Sequence, residues 1–324
     1  MESGSRCHRD FTLHLGYPRT GTTFIQKDVL PNFSSVQALA KPYKNILEGG
    51  SSFGTFGRFF QRSPRIWEAR GKDLFLSLFG SPSEQKTAPD ALISDESVGV
   101  DLARHCSYAG DTSFLGGARS AFFRSENPHI QIPHLHELSR LVGQWEFTRV
   151  RAIVVIRRQD TWVPSAYVKE SNHREDPCQA DFQEHVLSLI DPHRRLYEDG
   201  VVLDYHAVTC GLARALGEEN IMVLPYEMMQ EDPPDFFSRW ADFLGLSDGD
   251  TTKLQFLGEQ SILKVLNARS LPEDRWKIHP DGMEEDEYIK LTGSLRQKLL
   301  TTFRESNQKL DDEVEVELKD YGYY

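Results

Sequence analysis

Glycine, hydroxyl and cationic groups are concentrated in one octapeptide, Gly16-Tyr17-Pro18-Arg19-Thr20-Gly21-Thr22-Thr23, directly after the apolar run Phe11–Leu15. Gly16, Gly21 and Thr23 meet the G-x-x-x-x-G-K-[ST] pattern of a phosphate loop, while Thr22 stands in the lysine position. Such a loop grips anions through backbone N–H groups and the N-terminus of the helix that follows, which requires the glycines and the helix but not the lysine. Thr22 and Thr23 add hydroxyl donors. Arg19 restores the charge and can fork two hydrogen bonds onto one anionic group. On this stretch alone, a plain Gly-rich β-to-α turn remains the alternative.

A second concentration lies in residues 150–167, VRAIVVIRRQDTWVPSAY. A β-branched run ends in Arg157-Arg158, and Asp160-Thr161 can cap a helix carrying Ser165 and Tyr167. Ligands of open α/β sheets sit at the C-terminal ends of the strands, so a guanidinium and a hydroxyl there make a second anion site. The third stretch is Ala91-Leu92-Ile93-Ser94-Asp95-Glu96, a short strand ending in two carboxylates at the same sheet edge. Either carboxylate can serve as a general base. Alternation along the strand turns the two to opposite sides, so a one-residue shift of the strand end exchanges them.

The elements that must position these groups are short β-rich runs alternating with helical patterns, the signature of a parallel sheet flanked by helices. The spacing predicts strands at Phe11–Leu15, Val36–Leu39, Ala91–Ser94, Val150–Ile156 and Ile221–Leu224, and a helix within Thr20–Leu30 closed by Pro31-Asn32. Asp232-Pro233-Pro234 opens a structural helix whose apolar face is Phe236, Phe237, Trp240, Phe243 and Leu244, with Gly245 as its C-cap. Another helix is expected over Ser294–Leu310, followed by a solvated acidic face, DDEVEVELKD. Residues 49–63, 80–90, Tyr108–Pro133 and Asn267–Glu284 read as loops, and the walls of a substrate pocket belong among them. The whole chain, residues 1–324, is expected to form one α/β domain.

Bulk properties exclude several function classes. Hydrophobic residues make up 39% and charged residues 27%, and no apolar run is long enough to span a bilayer, so no integral membrane association is expected. The first ten residues lack the apolar core of a signal peptide, which points to the cytoplasm. Cys7, Cys106, Cys178 and Cys210 are far apart with no C-x-x-C pair, so free thiols are expected rather than a disulfide framework or zinc site. The net charge of −12 argues against a nucleic-acid partner. His129, His134 and His136 have no acidic or cysteine partner at metal-ligand spacing and read as surface or loop histidines, one of which could touch a substrate. Arg58, Arg62 and Arg65 read as a solvated basic surface.

Together, the octapeptide and residues 150–167 resemble the sulfotransferases that use 3′-phosphoadenosine-5′-phosphosulfate (PAPS) as donor and release adenosine 3′,5′-bisphosphate (PAP). Arg157 and Ser165 have the family's eight-residue spacing. VLPYEMMQEDPPDFFSRWADFLGL, residues 223–246, resembles its late strand, Tyr-Glu pair and helix, and ESNQKL…DYGYY resembles the tail of bacterial members. The resemblance implies a P-loop NTPase-like sulfotransferase fold. It also implies that Arg19, Thr20, Gly21, Thr22 and Thr23 hold the 5′-phosphosulfate, with Arg19 in the position of the loop lysine, and that Arg157 and Ser165 hold the 3′-phosphate. Phe24 matches an aromatic that stacks on adenine, and Tyr226 a tyrosine near the base. One of Arg269, Arg275 and Lys277 is expected to close over the nucleotide. Glu96 best fits the slot of the catalytic base, with Asp95 as its rival, and Arg19 stabilises the developing charge. No metal is required. The acceptor, a carbohydrate, lipid or small molecule with a hydroxyl or amine, lies beyond this reading. The competing readings are a P-loop kinase or NTPase whose Asp95 holds Mg²⁺, against which stand Thr22 and the Arg157/Ser165 pair, and a non-catalytic nucleotide-binding module.

Overall fold

The computed structural model describes residues 9–40, 56–85, 89–108, 132–192, 199–265, 270–271, 275–278 and 287–324. The predicted strands are β1 (Asp10–His14), β2 (Val36–Ala40), β3 (Asp90–Ser94), β4 (Arg149–Ile156) and β5 (Ile221–Pro225). They form one parallel sheet in the order β2-β3-β1-β4-β5. Helices connect the parallel strands and continue beyond β5. These are α1 (Thr22–Phe24), α2 (Gly57–Phe60), α3 (Arg65–Phe79), α4 (Glu96–Tyr108), α5 (Pro133–Val142), α6 (Gln159–Glu170), α7 (Gln179–Ile190), α8 (Tyr205–Leu216), α9 (Tyr226–Glu231), α10 (Pro233–Leu244), α11 (Asp248–Val265) and α12 (Gly293–Asp311).

Period-2 alternation sorts the strand side chains onto two cores. Phe11, Leu13, Ala91, Ile93, Ala152, Val154 and Val223 face one, beneath α3, α5, α8 and α12. Leu92, Ile153, Val155 and Leu224 face the other, with Ile25, Val29 and the Phe236/Phe237/Trp240 stripe of α10. Helix α10 starts and stops where its sequence dictates. The Asp232 side chain accepts from Asp235 N at 3.2 Å, and Gly245 takes the left-handed conformation at φ 60°. On the second face β1 is polar, placing Thr12 and His14 in the interior.

Several expectations are corrected. The helix after the octapeptide is a single α turn that widens into a π-helical turn, Ile25–Val29, and closes as a 3₁₀ turn, Leu30–Asn32. Part of the expected loop 49–63 is core, because Phe56, Phe59 and Phe60 pack around Trp67. His134 is not at the surface. It is fully buried, accepts from Trp67 Nε1 at 2.9 Å and lies against Phe60, whereas His136 is exposed and His129 lies outside the described residues. Arg58, Arg62 and Arg65 are exposed, as expected. Arg275 and Lys277 belong not to a loop but to an antiparallel ribbon of β6 (Ser270–Leu271), β7 (Arg275–Ile278) and β8 (Glu287–Lys290), with β7 against α6. Arg269 lies outside the described residues. The acidic tail is solvated only in part: Val316 and Leu318 are buried among the exposed Glu315, Glu317, Lys319 and Asp320, and Tyr323 is buried just beyond.

Candidate functional site

The octapeptide leaves β1 at the sheet's C-terminal edge as a tight loop. Leu15 N still bonds Ile153 O at 2.7 Å, and then Thr20 folds the chain back, its N and Oγ1 both bonding Tyr17 O at 3.2 and 2.6 Å. Arg19 and Gly21 have φ of 73° and 76°. Glycine takes that region freely, but an arginine there costs roughly 1–3 kcal/mol and needs outside support. The support comes from residues that follow β4: Arg157 Nη1 donates to Arg19 O at 2.8 Å, and Trp162 Nε1 to Pro18 O at 2.8 Å. A Cβ on Gly21 would lie 2.2 Å from Met229 Cε, so the loop seats directly on α9. Thr22 is buried at the helix start and Thr23 is exposed.

The same support brings the two motifs together. Arg19 Nε donates to Ser165 Oγ at 2.8 Å, and the Arg157 guanidinium lies 4.9 Å from the centroid of the Tyr226 ring. Burial pushes the Tyr226 phenol above its ordinary range. The neighbours Arg157 and Arg158 separate in role. Arg158 makes a two-pronged bond to the fully buried Asp160, at 2.7 and 3.0 Å, and that bond raises its pKa. Asp160 also pairs with Arg296 at 3.2 Å. Arg157 bonds Thr161 Oγ1 at 3.1 Å and faces the loop. Behind both stands Glu227, which accepts from Arg158 N at 3.0 Å and from Tyr323 Oη at 2.9 Å. Burial raises the Glu227 pKa in spite of those bonds.

The adjacent carboxylates Asp95 and Glu96 also part company. Asp95 is 1% exposed, and its Oδ1 accepts from Ser97 N and Oγ at 3.0 and 2.5 Å while Oδ2 accepts from Gly57 N at 3.1 Å. It holds the start of α4 and of α2. Glu96 is half-buried and accepts from Gln26 Nε2 at 3.2 Å.

Gln26 and His14 have no place in the sequence expectations, yet they connect Glu96 to the loop. Gln26 Nε2 also lies 3.2 Å from Ser94 O and from Ser94 Oγ, so the amide nitrogen faces acceptors on all sides. Ser94 Oγ also hydrogen-bonds His14 Nδ1 at 2.7 Å. Its ring is 1% exposed and edge-on to Trp240 at 4.9 Å, and burial drops its pKa to about 3. Nε2 has no partner among the described residues. It sits 2.8 Å from where a Gly16 Cβ would lie, so the loop passes over it. A buried polar atom without a partner costs about 1–3 kcal/mol. The sequence signal was a histidine at the end of an apolar strand, two residues before the first glycine.

Phe24 is half-buried, with its ring edge-to-face on Phe237 at 6.3 Å. On the small ribbon, Arg275 stacks on Tyr288 at 4.4 Å. No helix among the described residues is long and apolar enough to cross a membrane.

The fold is an α/β domain, a parallel sheet with a glycine-bearing loop after its central strand and an arginine-serine pair after the next. Residues 9–310 match the family model of the sulfotransferase domain, and the chain belongs to that family. A crystal structure of a sulfotransferase from Alicyclobacillus acidocaldarius shares the fold, with a TM-score of 0.51 and 14% identity over 94% of this chain and 95% of the other. Mouse sulfotransferase SULT7A1 complexed with PAP aligns with a TM-score of 0.36 and 14% identity, over 94% of this chain and 82% of that one. No curated protein sequence matches. Family membership supports sulfuryl transfer as the chemistry.

Proposed function

We propose that the protein moves a sulfuryl group from PAPS to a hydroxyl or amine of a carbohydrate, lipid or small molecule. The observation that carries this reading is the 2.8 Å bond from Arg19 Nε to Ser165 Oγ, which joins anion motifs 146 residues apart into one site. Loop amides and Arg19, Thr20, Gly21, Thr22 and Thr23 receive the 5′-phosphosulfate, Arg157 and Ser165 the 3′-phosphate, and Phe24 and Tyr226 flank the base. Cations and N–H donors fixed in advance stabilise the charge that builds as the donor's S–O bond breaks and a new S–O or S–N bond to the acceptor forms. Glu96 takes the acceptor proton, and Gln26 fixes the orientation of its carboxylate. The site needs no metal, since fixed cations already meet the anions.

Two titrations test the donor and the base. PAP should raise the melting temperature more than ATP with Mg²⁺ at equal concentration, since stabilisation follows affinity. A preference for ATP would replace this reading with that of a kinase, for which Asp95 is poorly suited because both its oxygens already accept hydrogen bonds. Glu96→Gln should bind PAP as wild type does and lose about 10²–10⁴-fold in turnover with a competent acceptor, the usual share of a general base. Full turnover in that variant removes Glu96 from the mechanism. Wild-type PAP binding without turnover of any sugar, phenol or lipid alcohol from labelled PAPS favours a non-catalytic binding module.

A further inference from the structure

On the face of α8, His206 and Cys210 stand one turn apart, and the turn after α12 brings Glu313 onto them. His206 Nε2 lies 3.1 Å from Glu313 Oε1 and 3.3 Å from Cys210 Sγ, and Cys210 Sγ lies 3.9 Å from Glu313 Oε2. All three ligand atoms fall within 4.8 Å of one another. Two groups thus converge on a single imidazole nitrogen, which has at most one hydrogen to offer them. A cation in the middle satisfies all three at once. Around a tetrahedral Zn²⁺ with bonds of about 2.0–2.3 Å, neighbouring ligand atoms stand roughly 3.3–3.6 Å apart, close to the spacing found.

We propose that His206, Cys210 and Glu313 form a Zn²⁺ site that clips α8 to the C-terminal tail, with water in the fourth position. The donor set of imidazole, thiolate and carboxylate suits a borderline-soft divalent ion, and the two anionic ligands balance its charge. Binding releases the Cys210 proton, because the thiolate is the ligand. His206 and Cys210 are half-buried and Glu313 is exposed, so the ion enters from solvent without opening the core. The backbone around the ligands is fixed. Asp204 caps α8 by accepting from Ala207 N at 3.1 Å and from Ser306 Oγ of α12 at 2.6 Å, and α12 continues directly into the turn that carries Glu313. The tail beyond it delivers Tyr323 to Glu227, so the clip anchors the segment that backs the arginines of the nucleotide site. The sequence held half of the signal, His206-x-x-x-Cys210. The third ligand stands 103 residues further on.

The proposal is independent of the donor and the acceptor, and its test reads the metal alone. Untagged full-length protein is titrated with Co²⁺ as a spectroscopic probe and with Zn²⁺ during alkylation, each cysteine being followed by mass spectrometry. Expected are a thiolate-to-Co²⁺ charge-transfer band at one ion per chain, absent in Cys210→Ser, and slowed alkylation of Cys210 but not of Cys178. His206→Gln and Glu313→Gln, which keep the thiol and are checked for a wild-type circular dichroism spectrum without metal as a fold control, should each weaken Zn²⁺ protection by at least the ~10–100-fold typical of losing an outer-shell partner. Equal protection of Cys178 and Cys210, no charge-transfer band, or protection unchanged in both glutamine variants would overturn the site.

Discussion

The two halves of the proposed nucleotide site are built differently. The anion loop is local: Gly16, Arg19, Thr20 and Gly21 shape it within one turn, and its donors are backbone groups already present in the chain. The arginine-serine half is assembled from afar. Arg157 is aimed correctly because Arg158 beside it is held by Asp160, which also pairs with Arg296, and by Glu227, and Glu227 in turn by Tyr323 near the chain end. A loop of backbone amides survives most side-chain changes nearby, whereas a guanidinium set by a buried ionic network depends on distant residues. The halves meet at Arg19, whose strained carbonyl is held by Arg157 and whose side chain is held by Ser165.

That contrast can be broken at graded strength. Arg157→Ala should have the largest effect, because it removes a charge-assisted anchor and the support of Arg19 together. PAP affinity by calorimetry should fall roughly 100-fold, about 3 kcal/mol, while adenosine 5′-phosphosulfate, which has no 3′-phosphate, loses much less. Equal losses for both ligands would show that Arg157 serves the loop alone.

Next comes the pH dependence set by His14. Its folded pKa of about 3 lies below the ordinary 6.5, so the unfolded chain binds the extra proton first. This contribution to stability is fully present above pH 6.5 and is lost as pH falls toward 3, by about 1.4 kcal/mol per unit well inside that window. Denaturant midpoints measured over that range should fall less steeply in His14→Gln than in wild type, and parallel profiles would refute the assignment.

Tyr323→Phe should cost about 1–2 kcal/mol of stability by urea unfolding, since it leaves the buried Glu227 carboxylate short of a donor. It should weaken PAP binding only slightly, and a wild-type melting curve would show that the tail does not support the arginine half. The mildest change is Ser165→Ala. Losing one hydrogen bond at about 1 kcal/mol should reduce PAP affinity by roughly fivefold with the melting temperature of the free protein nearly unchanged.

Legibility followed the same division. Strand alternation, the loop glycines and the Asp232/Gly245 caps are signals within a few residues of one another, and each of those elements stands where the pattern placed it. Adjacent identical chemistries were not separable that way. Arg157 and Arg158, like Asp95 and Glu96, differ only in which side of the chain they leave, and a one-residue shift in a strand end decides that. His14 and Gln26 carried almost no signal, because a histidine in an apolar strand and a glutamine in a helix acquire meaning only from the partners that surround them. The aromatic loop near Phe56 misled for a related reason: glycine and serine mark irregular backbone, but the phenylalanines between them fill the core beside Trp67.

The sequence by itself determined the α/β architecture, the glycine-bearing loop after β1 and the eight-residue spacing of Arg157 and Ser165, because these depend on backbone periodicity and local conformational preference. Only the tertiary structure decided which arginine faces the loop and which carboxylate is committed to helix capping. It alone showed that His14 lies beneath Gly16 and that Glu313 reaches His206 and Cys210. Those outcomes rest on contacts between segments tens to hundreds of residues apart. Side-chain direction there is fixed by burial and by the completion of hydrogen bonds across the fold rather than by neighbours in the chain.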